Sequence, residues 1–352
     1  MSFQPFIEGS ITFKIEKMKA LTYCKTKDCF QVQELPIPTP NHIQMLIRVH
    51  ACSLNPIDTK IVHWNKIVDD MEDDFIVGLD VVGEIMSTPE KNTSWKIGDK
   101  VLFHGNMFDK HGGLAEYCLQ DFRTLTALPN NVPIEVAAST PCAGWTAWRS
   151  LVDKLQIQKH NSIFIAGGSG GVGSFAIQIA KYFGVETIIT SCSQRNIGYA
   201  KRLGATHVID YENQNIINQL RIITKGNGVN VALDCVGGGS ELYCANALQF
   251  EGQMVELVET ANLKSYHQAK ARGLTVHQIS FGAGYKNGVQ GRQSIQDAGN
   301  AFNKLLNEGH IQAPQIQKIT LEQAADALKE MRGQRTVGKV VVMLKYLNGS
   351  LM

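Results

Sequence analysis

The sequence predicts an α/β protein of two units, a mostly antiparallel β domain and a doubly wound domain on a parallel sheet. Three observations carry that reading. Over residues 19–128, short apolar runs are broken by turn residues, the pattern of antiparallel strands. From about residue 135, strand-like and helix-like stretches alternate, which implies a parallel sheet. A glycine-dense loop joins the first strand of that second region to its first helix. At roughly 150 residues per domain, a chain of 352 residues has room for two domains and a sizeable core.

In chain order, residues 1–17 read as a polar and aromatic preface outside the fold, and M-K-A-L-T-Y-C opens the first strand at Met18. The runs F-Q-V-Q-E-L, Q-M-L-I-R-V, G-L-D-V-V-G-E-I, D-K-V-L-F-H-G and L-A-E-Y-C-L follow as further strands. Pro36, Pro38 and Pro40 mark a connection, because proline cannot donate to a ladder and keeps its predecessor extended. In the second region, strands are expected at 162–166, 187–190, 229–234 and 253–257. Val172, Phe175, Ala176, Ile179, Ala180 and Phe183 form one apolar stripe at helical spacing, so the helix after the first of these strands packs on the sheet. A helix over 321–331 and a strand over 338–344 close the chain, with no internal repeat and no low-complexity segment.

Composition narrows the function. With 44% hydrophobic and 19% charged residues, and 32 glycines against 10 prolines, the chain is neither disordered nor collagen-like. A net charge of +2 provides no field to attract a nucleic acid or an anionic membrane, so neither is expected as a partner. No apolar stretch approaches the roughly 18 residues that span a bilayer, and no signal core opens the chain, so a soluble cytoplasmic protein is expected. The eight scattered cysteines read as reduced, mostly buried thiols.

The loop A-G-G-S-G-G-V-G contains G-x-G-x-x-G as Gly168, Gly170 and Gly173, between an apolar strand and an amphipathic helix. In a dinucleotide site Gly168 permits the tight turn, Gly170 lets the backbone approach a pyrophosphate, and Gly173 allows close helix packing. Ser169, Gly171 and Val172 complete the loop, and the helix N-terminus offers N–H groups to the anion. The same residues also fit G-x-S-x-G, a hydrolase elbow with Ser169 as nucleophile, and His207, His267, His277 and His310 lie downstream. That alternative leaves Gly173 without a purpose. About twenty residues on, where a carboxylate would hold the ribose of NAD, the sequence has Ser191, Ser193, Arg195 and Asn196. Hydroxyls and a guanidinium suit a 2′-phosphate, so NADPH is the expected cofactor.

Six segments together resemble the medium-chain dehydrogenase/reductase superfamily, on its zinc-independent quinone oxidoreductase and enone reductase branch. They are S-L-N-P-I-D from Ser53, G-L-D-V-V-G from Gly78, G-G-L-A-E-Y from Gly112, G-W-T-A-W from Gly144, the glycine loop, and R-T-V-G-K-V from Arg335. The resemblance implies a GroES-like catalytic domain over 18–142, a Rossmann domain over 143–311, and a return to the catalytic domain over 312–352. It implies a nicotinamide in the cleft between them, a small-molecule substrate and a homodimer. It also places Asn55 at the nicotinamide ribose, and counts Thr146, Tyr211 and Lys339 with the cofactor-binding positions. Zinc-binding members carry cysteine where this chain has Asn55-Pro56-Ile57-Asp58, and G-H-E where it has Gly78-Leu79-Asp80, so no metal is expected. His50 and Cys52, alternate residues of one strand, read as packing. Without a Lewis acid, a substrate carbonyl must be polarised by a donor or a cation. Lys60, where quinone reductases often carry tyrosine, is the candidate, while Asp58 reads as a helix-start residue. The expected activity is NADPH-dependent reduction of quinones or α,β-unsaturated carbonyls. A non-catalytic dinucleotide sensor is the alternative from a different class.

Overall fold

A computed structural model describes residues 17–66, 68, 71–89, 93–258, 262–333 and 338–345, apart from the side chains of residues 62 and 64–66. Eight strands precede the glycine loop's own strand: β1 (Lys17–Cys24), β2 (Cys29–Pro36), β3 (Gln44–Ser53), β4 (Phe75–Ile76), β5 (Asp80–Ser87), β6 (Lys100–His104), β7 (Tyr117–Asp121) and β8 (Thr126–Ala127). The second region supplies β9 (Ser162–Ala166), β10 (Thr187–Cys192), β11 (His207–Asp210), β12 (Val229–Asp234), β13 (Leu248–Glu256) and β14 (Thr275–Gln278). The chain closes with β15 (Ile316–Ile319) and β16 (Lys339–Met343).

These strands make three sheets, ordered β2-β1-β4, then β15-β16-β3-β5-β6-β8 with β7 also on β3, and β11-β10-β9-β12-β13-β14. The third is parallel throughout. Its order reverses between β9 and β12, so a crevice opens at the carboxyl ends of those two strands, where doubly wound sheets take their ligands. The fold class is therefore as read: an antiparallel GroES-like sheet and a parallel Rossmann sheet. Strand β3 shows why its sequence forms a half-buried strand: Met45, Ile47, Val49 and Ala51 are buried while Leu46, Arg48 and His50 alternate between them.

Several details differ from the sequence reading. Lys17 already pairs with Pro36 in β1, so the preface is shorter by one residue, and residues 1–16 lie outside the described residues. Strand β15 runs parallel to β16, an exception within the otherwise antiparallel sheet. β10 extends to Cys192, and β13 begins five residues early because a register shift lets it rejoin β12. β14 had no reading, since T-V-H-Q lacks the alternation of a half-buried strand. In the helix Gly171–Tyr182, Phe175, Ala176, Ile179 and Ala180 are buried as expected, but so is Ile177 on the far side. Packing covers this helix almost all round, because Trp145, Leu151 and Phe302 belong to one core that also takes Ala51, Val82 and Val341 from the antiparallel sheet. All eight cysteines are free, five of them buried. Among the described residues no helix is long and apolar enough to cross a membrane.

Candidate active site

The glycine loop is built by strand β9 and the helix Gly171–Tyr182. Gly167 takes φ +81°, so it, and not Gly168 as read, makes the left-handed turn. Gly168 is required for another reason: a Cβ there would lie 2.0 Å from Thr190 Oγ1 on β10. A Cβ on Gly173 would come 2.2 Å from Gly167 O, which is the close helix-to-strand packing its position suggested. Gly170 and Gly171 face more open space, their added Cβ atoms meeting only Gly167 O and Ala143 Cβ, each at 3.3 Å. The first intrahelical bond runs from Ser174 N–H to Gly170 O at 2.9 Å, so the preceding N–H groups have no acceptor within the helix. The result is a bare, positive helix end at the carboxyl edge of the sheet, the cradle a pyrophosphate needs.

Asn196 closes one side of that loop, its Nδ2 donating to Ser169 Oγ at 3.2 Å and to Ser193 Oγ at 3.1 Å. Ser191 Oγ accepts the Gly167 N–H at 3.4 Å. Arg195 is exposed, and no hydrogen bond or ion pair among the described residues engages its guanidinium. Tyr211, 54% exposed, stands at the end of the neighbouring strand β11. Two features here escaped the sequence. Glu212 reaches across from the end of β11 and accepts the Gln194 N–H at 3.4 Å, bringing a carboxylate to the backbone of the residue before Arg195. The segment after β12 folds over the glycine loop. Asp234 Oδ1 accepts the N–H groups of Val236 at 2.9 Å and Gly237 at 3.2 Å, while Val236 stands 2.6 Å from where a Cβ on Gly167 would be. Three consecutive glycines two residues past a strand, Gly237 to Gly239, were the available signal. The hydrolase reading fails at Ser169, whose hydroxyl is partnered by an amide that cannot take its proton. His207, His277 and His310 are engaged with Thr206, Gln253 and Glu308 instead.

Across the cleft lies a buried polar cluster. Pairing of β3 with both β5 and β16 brings Asn55, Asp80 and Lys339 to the same end of the sheet. Asn55 Nδ2 donates to Asp80 Oδ2 at 2.9 Å and to Ser53 O at 3.3 Å. Lys339 Nζ donates to Asn55 Oδ1 at 2.6 Å, Asp80 Oδ2 at 3.1 Å and Leu54 O at 3.4 Å. All three ammonium donors of Lys339 are thus spent inside the protein. Lys339, read as a cofactor-binding residue, is engaged with the oxygens of Asn55, Asp80 and Leu54. Asn55 has likewise used both N–H groups, so what it can present to a ligand is the remaining lone pair of Oδ1.

Asp58, fully buried, accepts the Asn55 N–H through Oδ2 at 2.8 Å, while its Oδ1 is buried without a partner. Burial pushes its carboxyl up to about 7, with nearby Asp80 adding to the effect against the pull of the Asn55 N–H. His104, opposite Asp80 on β6, is also buried with Nδ1 unpartnered. Burial lowers its pKa, and Phe281 packs edge-on against it at 5.0 Å. Burial raises the thiols of Cys52 and Cys142. His50 turns to the other side of its strand, its ring nitrogen 3.5 Å from a Glu84 oxygen, so it makes no pair with Cys52. Lys60 is exposed and has no side-chain partner among the described residues, and Thr146 is buried at the start of a helical turn.

One backbone contact joins the two sides. Cys142 N–H donates to Asp80 Oδ1 at 2.6 Å, and the next residue, Ala143, packs against Gly171 at the start of the loop's helix. Cluster and glycine loop are therefore neighbours, joined through residues 142 and 143. Two family models match in that arrangement: the alcohol dehydrogenase GroES-like domain over residues 41–140 and the zinc-binding dehydrogenase domain over residues 171–290. The chain belongs to the medium-chain dehydrogenase/reductase superfamily.

Within this superfamily the chain is similar to a quinone oxidoreductase-like protein 2 homolog of Nematostella vectensis, 26% identical over 307 residues, covering 86% of this chain and 82% of that protein. A zinc-type alcohol dehydrogenase-like protein of Staphylococcus epidermidis is 32% identical over 191 residues, and the match spans only about half of each chain, 53% of this one and 55% of that one. The quinone oxidoreductase structure from Coxiella burnetii superposes with a TM-score of 0.78 at 26% identity, covering 94% of this chain and all of that one. Zinc appears in two of these descriptions. In this chain the oxygens of Asp80 are taken by two N–H groups and the Lys339 ammonium. Among the described residues no group of three or more metal-ligating side chains converges.

Proposed function

We propose that this protein is an NADPH-dependent reductase of quinones or α,β-unsaturated carbonyls that works without zinc. The observation that carries this reading is a bare helix end at the glycine loop tied, through the Cys142 N–H and Ala143, to a buried carboxylate already neutralised by an ammonium. When bound, a reduced nicotinamide supplies a hydride there. The N–H groups of Gly171, Val172 and Gly173 at the helix end hold the pyrophosphate, with Gly168, Ser169 and Gly170 shaping the loop, and Ser191, Ser193, Arg195, Asn196 and Tyr211 hold the adenosine end. Thr146 and the Asn55 Oδ1 lone pair position the nicotinamide ribose, and Lys60 stabilises negative charge on the substrate oxygen.

The deciding experiment is NADPH oxidation against a panel of quinones, enals and enones, with and without a strong chelator. Turnover that survives the chelator supports the proposal. Binding of NADPH with no oxidation by any acceptor would make the protein a dinucleotide sensor. With NADPH deuterated at the 4-position, label should reach the β-carbon of an enone product, and label on a carbinol carbon would indicate carbonyl reduction instead. Lys60→Ala should lower turnover by roughly 10 to 100-fold with little change in NADPH affinity. Unchanged kinetics would leave Lys60 a surface residue.

Cofactor choice gives a separate prediction. NADPH should bind at least about tenfold more tightly than NADH, or about 1.4 kcal/mol. Arg195→Ala should erode that advantage while sparing NADH, through loss of a charge-assisted contact. Because Glu212 places a like charge near the 2′-phosphate, Glu212→Gln should widen the gap. Calorimetric titration of both cofactors reads all three effects, and equal losses for NADPH and NADH in Arg195→Ala would assign the guanidinium elsewhere.

A further inference from the structure

Asp80 lies at the junction of four chain segments that are remote in sequence. Its Oδ2 receives Asn55 Nδ2 and Lys339 Nζ, and its Oδ1 receives the N–H of Cys142. The side chain has no exposure to solvent. Each bond does something different for the cleft. The Asn55 bond fixes which way the amide faces: with Nδ2 held by Asp80 and Ser53 O, the end left with an unused lone pair is Oδ1. The Lys339 bond orients the ammonium that donates to that same oxygen, at 2.6 Å. The Cys142 bond secures the strand of chain whose next residue packs against Gly171, at the first turn of the helix that cradles the dinucleotide.

We infer that Asp80 is a positioning residue of the hydride-transfer site, which orients the Asn55 amide and, through the Cys142 N–H, sets the spacing between Asn55 and the glycine loop. This inference rests on the proposed function, since it assigns Asp80 a role in seating the nicotinamide half of a dinucleotide. It separates the two halves of the cofactor. The adenosine half is held by the loop and by residues 191–196, none of which bonds to Asp80. The nicotinamide half must meet Asn55, whose amide Asp80 orients. A small displacement at such a site can cost large factors in rate, because hydride donor and acceptor react only within a narrow range of distances.

The test compares wild type with Asp80→Asn and with the double variant Asp80→Asn/Lys339→Met, which removes both charges so that neither is left buried alone. Calorimetry with 2′,5′-ADP reports the adenosine half, and calorimetry with NADPH reports the whole cofactor. Stopped-flow oxidation of NADPH by the best acceptor reports the hydride step, and thermal unfolding reports the fold. Both variants should bind 2′,5′-ADP within about twofold of wild type, bind NADPH about tenfold more weakly, and transfer hydride about tenfold or more slowly. The double variant should regain thermal stability without regaining NADPH affinity or rate.

Three results would overturn the inference. One is a double variant whose NADPH affinity and rate return together with its stability, which makes the carboxylate only a folding element. Another is equal weakening of 2′,5′-ADP and NADPH, which indicates general loosening. The third is a double variant that cannot fold, because a positioning carboxylate is dispensable once its charge partner is gone. Failure of the functional reading is recorded separately, on wild type: if no acceptor oxidises bound NADPH, the two binding titrations still decide what Asp80 positions.

Discussion

Gly173→Ala is expected to unfold the glycine loop, whereas Gly170→Ala should leave a stable protein that no longer holds a dinucleotide. The contrast follows from what a methyl group would meet at each place. At Gly173 the new Cβ would stand 2.2 Å from Gly167 O and 2.8 Å from Gly168 Cα, both backbone atoms. Neither can rotate away, and Gly168 is itself held to β10 by its N–H, which donates to Ser191 O at 3.1 Å. Overpacking against fixed backbone costs about 3 kcal/mol or more. At Gly170 the φ of −77° and ψ of 174° suit any residue, and the sole near atom is Gly167 O at 3.3 Å. Gain from a stiffer unfolded chain and loss of a glycine N-cap are each below about 1 kcal/mol, so stability should change little. The methyl would instead fill the space through which a pyrophosphate reaches the helix end, and NADPH affinity should fall by about 100-fold or more. Thermal melts and NADPH titrations of both variants check this. An alanine at 170 that binds NADPH normally would remove the pyrophosphate from this loop.

The loop could be read in the sequence because everything that specifies it is local: a strand, a turn and a helix within about twenty residues, each with its own periodicity. The same holds for β9 and β12, which appear where their apolar runs end. The cluster across the cleft could not be read in this way. Lys339 and Asn55 touch although 284 positions separate them, and only the pairing of β16 with β3 reveals it. The resemblance counts Lys339 with the cofactor-binding positions, and no short pattern shows that its ammonium also bonds to Asn55, Asp80 and Leu54. Asp58 shows a further limit. Its place at the start of the turn Asp58–Lys66 was legible as capping chemistry, and it does accept the Asn55 N–H. Its complete burial, and the proximity of a second carboxylate, arise from sheet contacts that no short pattern encodes. Glu212 escapes the sequence for the same reason, since it reaches the Gln194 N–H only because β11 lies beside β10.

Burial of Asp58 makes stability depend on pH in a direction opposite to that of an ordinary ion-paired carboxylate. In the unfolded chain the group ionises near its usual 3.8, whereas in the folded protein burial holds it protonated up to about 7. Between those values the folded state binds the additional proton, so stability falls as pH rises through that window and levels off above about pH 7. At 1.36 kcal/mol per pKa unit, the full effect is up to about 4 kcal/mol. Other groups face the same cluster. Asp80 and Lys339 are paired, and Cys52 and Cys142 keep their protons because burial raises both thiols. His104 acts in the reverse sense: burial lowers its pKa, so it withholds stability as pH falls below about 6.5. Asp58→Asn isolates the carboxyl from these neighbours, because an amide oxygen can still accept the Asn55 N–H while the titrating proton is gone. The variant and wild type should have similar stability near pH 3.5, and at pH 8 the variant should be more stable by a few kcal/mol. Urea unfolding at both pH values measures the difference directly. Equal stabilities at pH 8 would mean that Asp58 ionises in the folded protein as readily as it does in the unfolded chain.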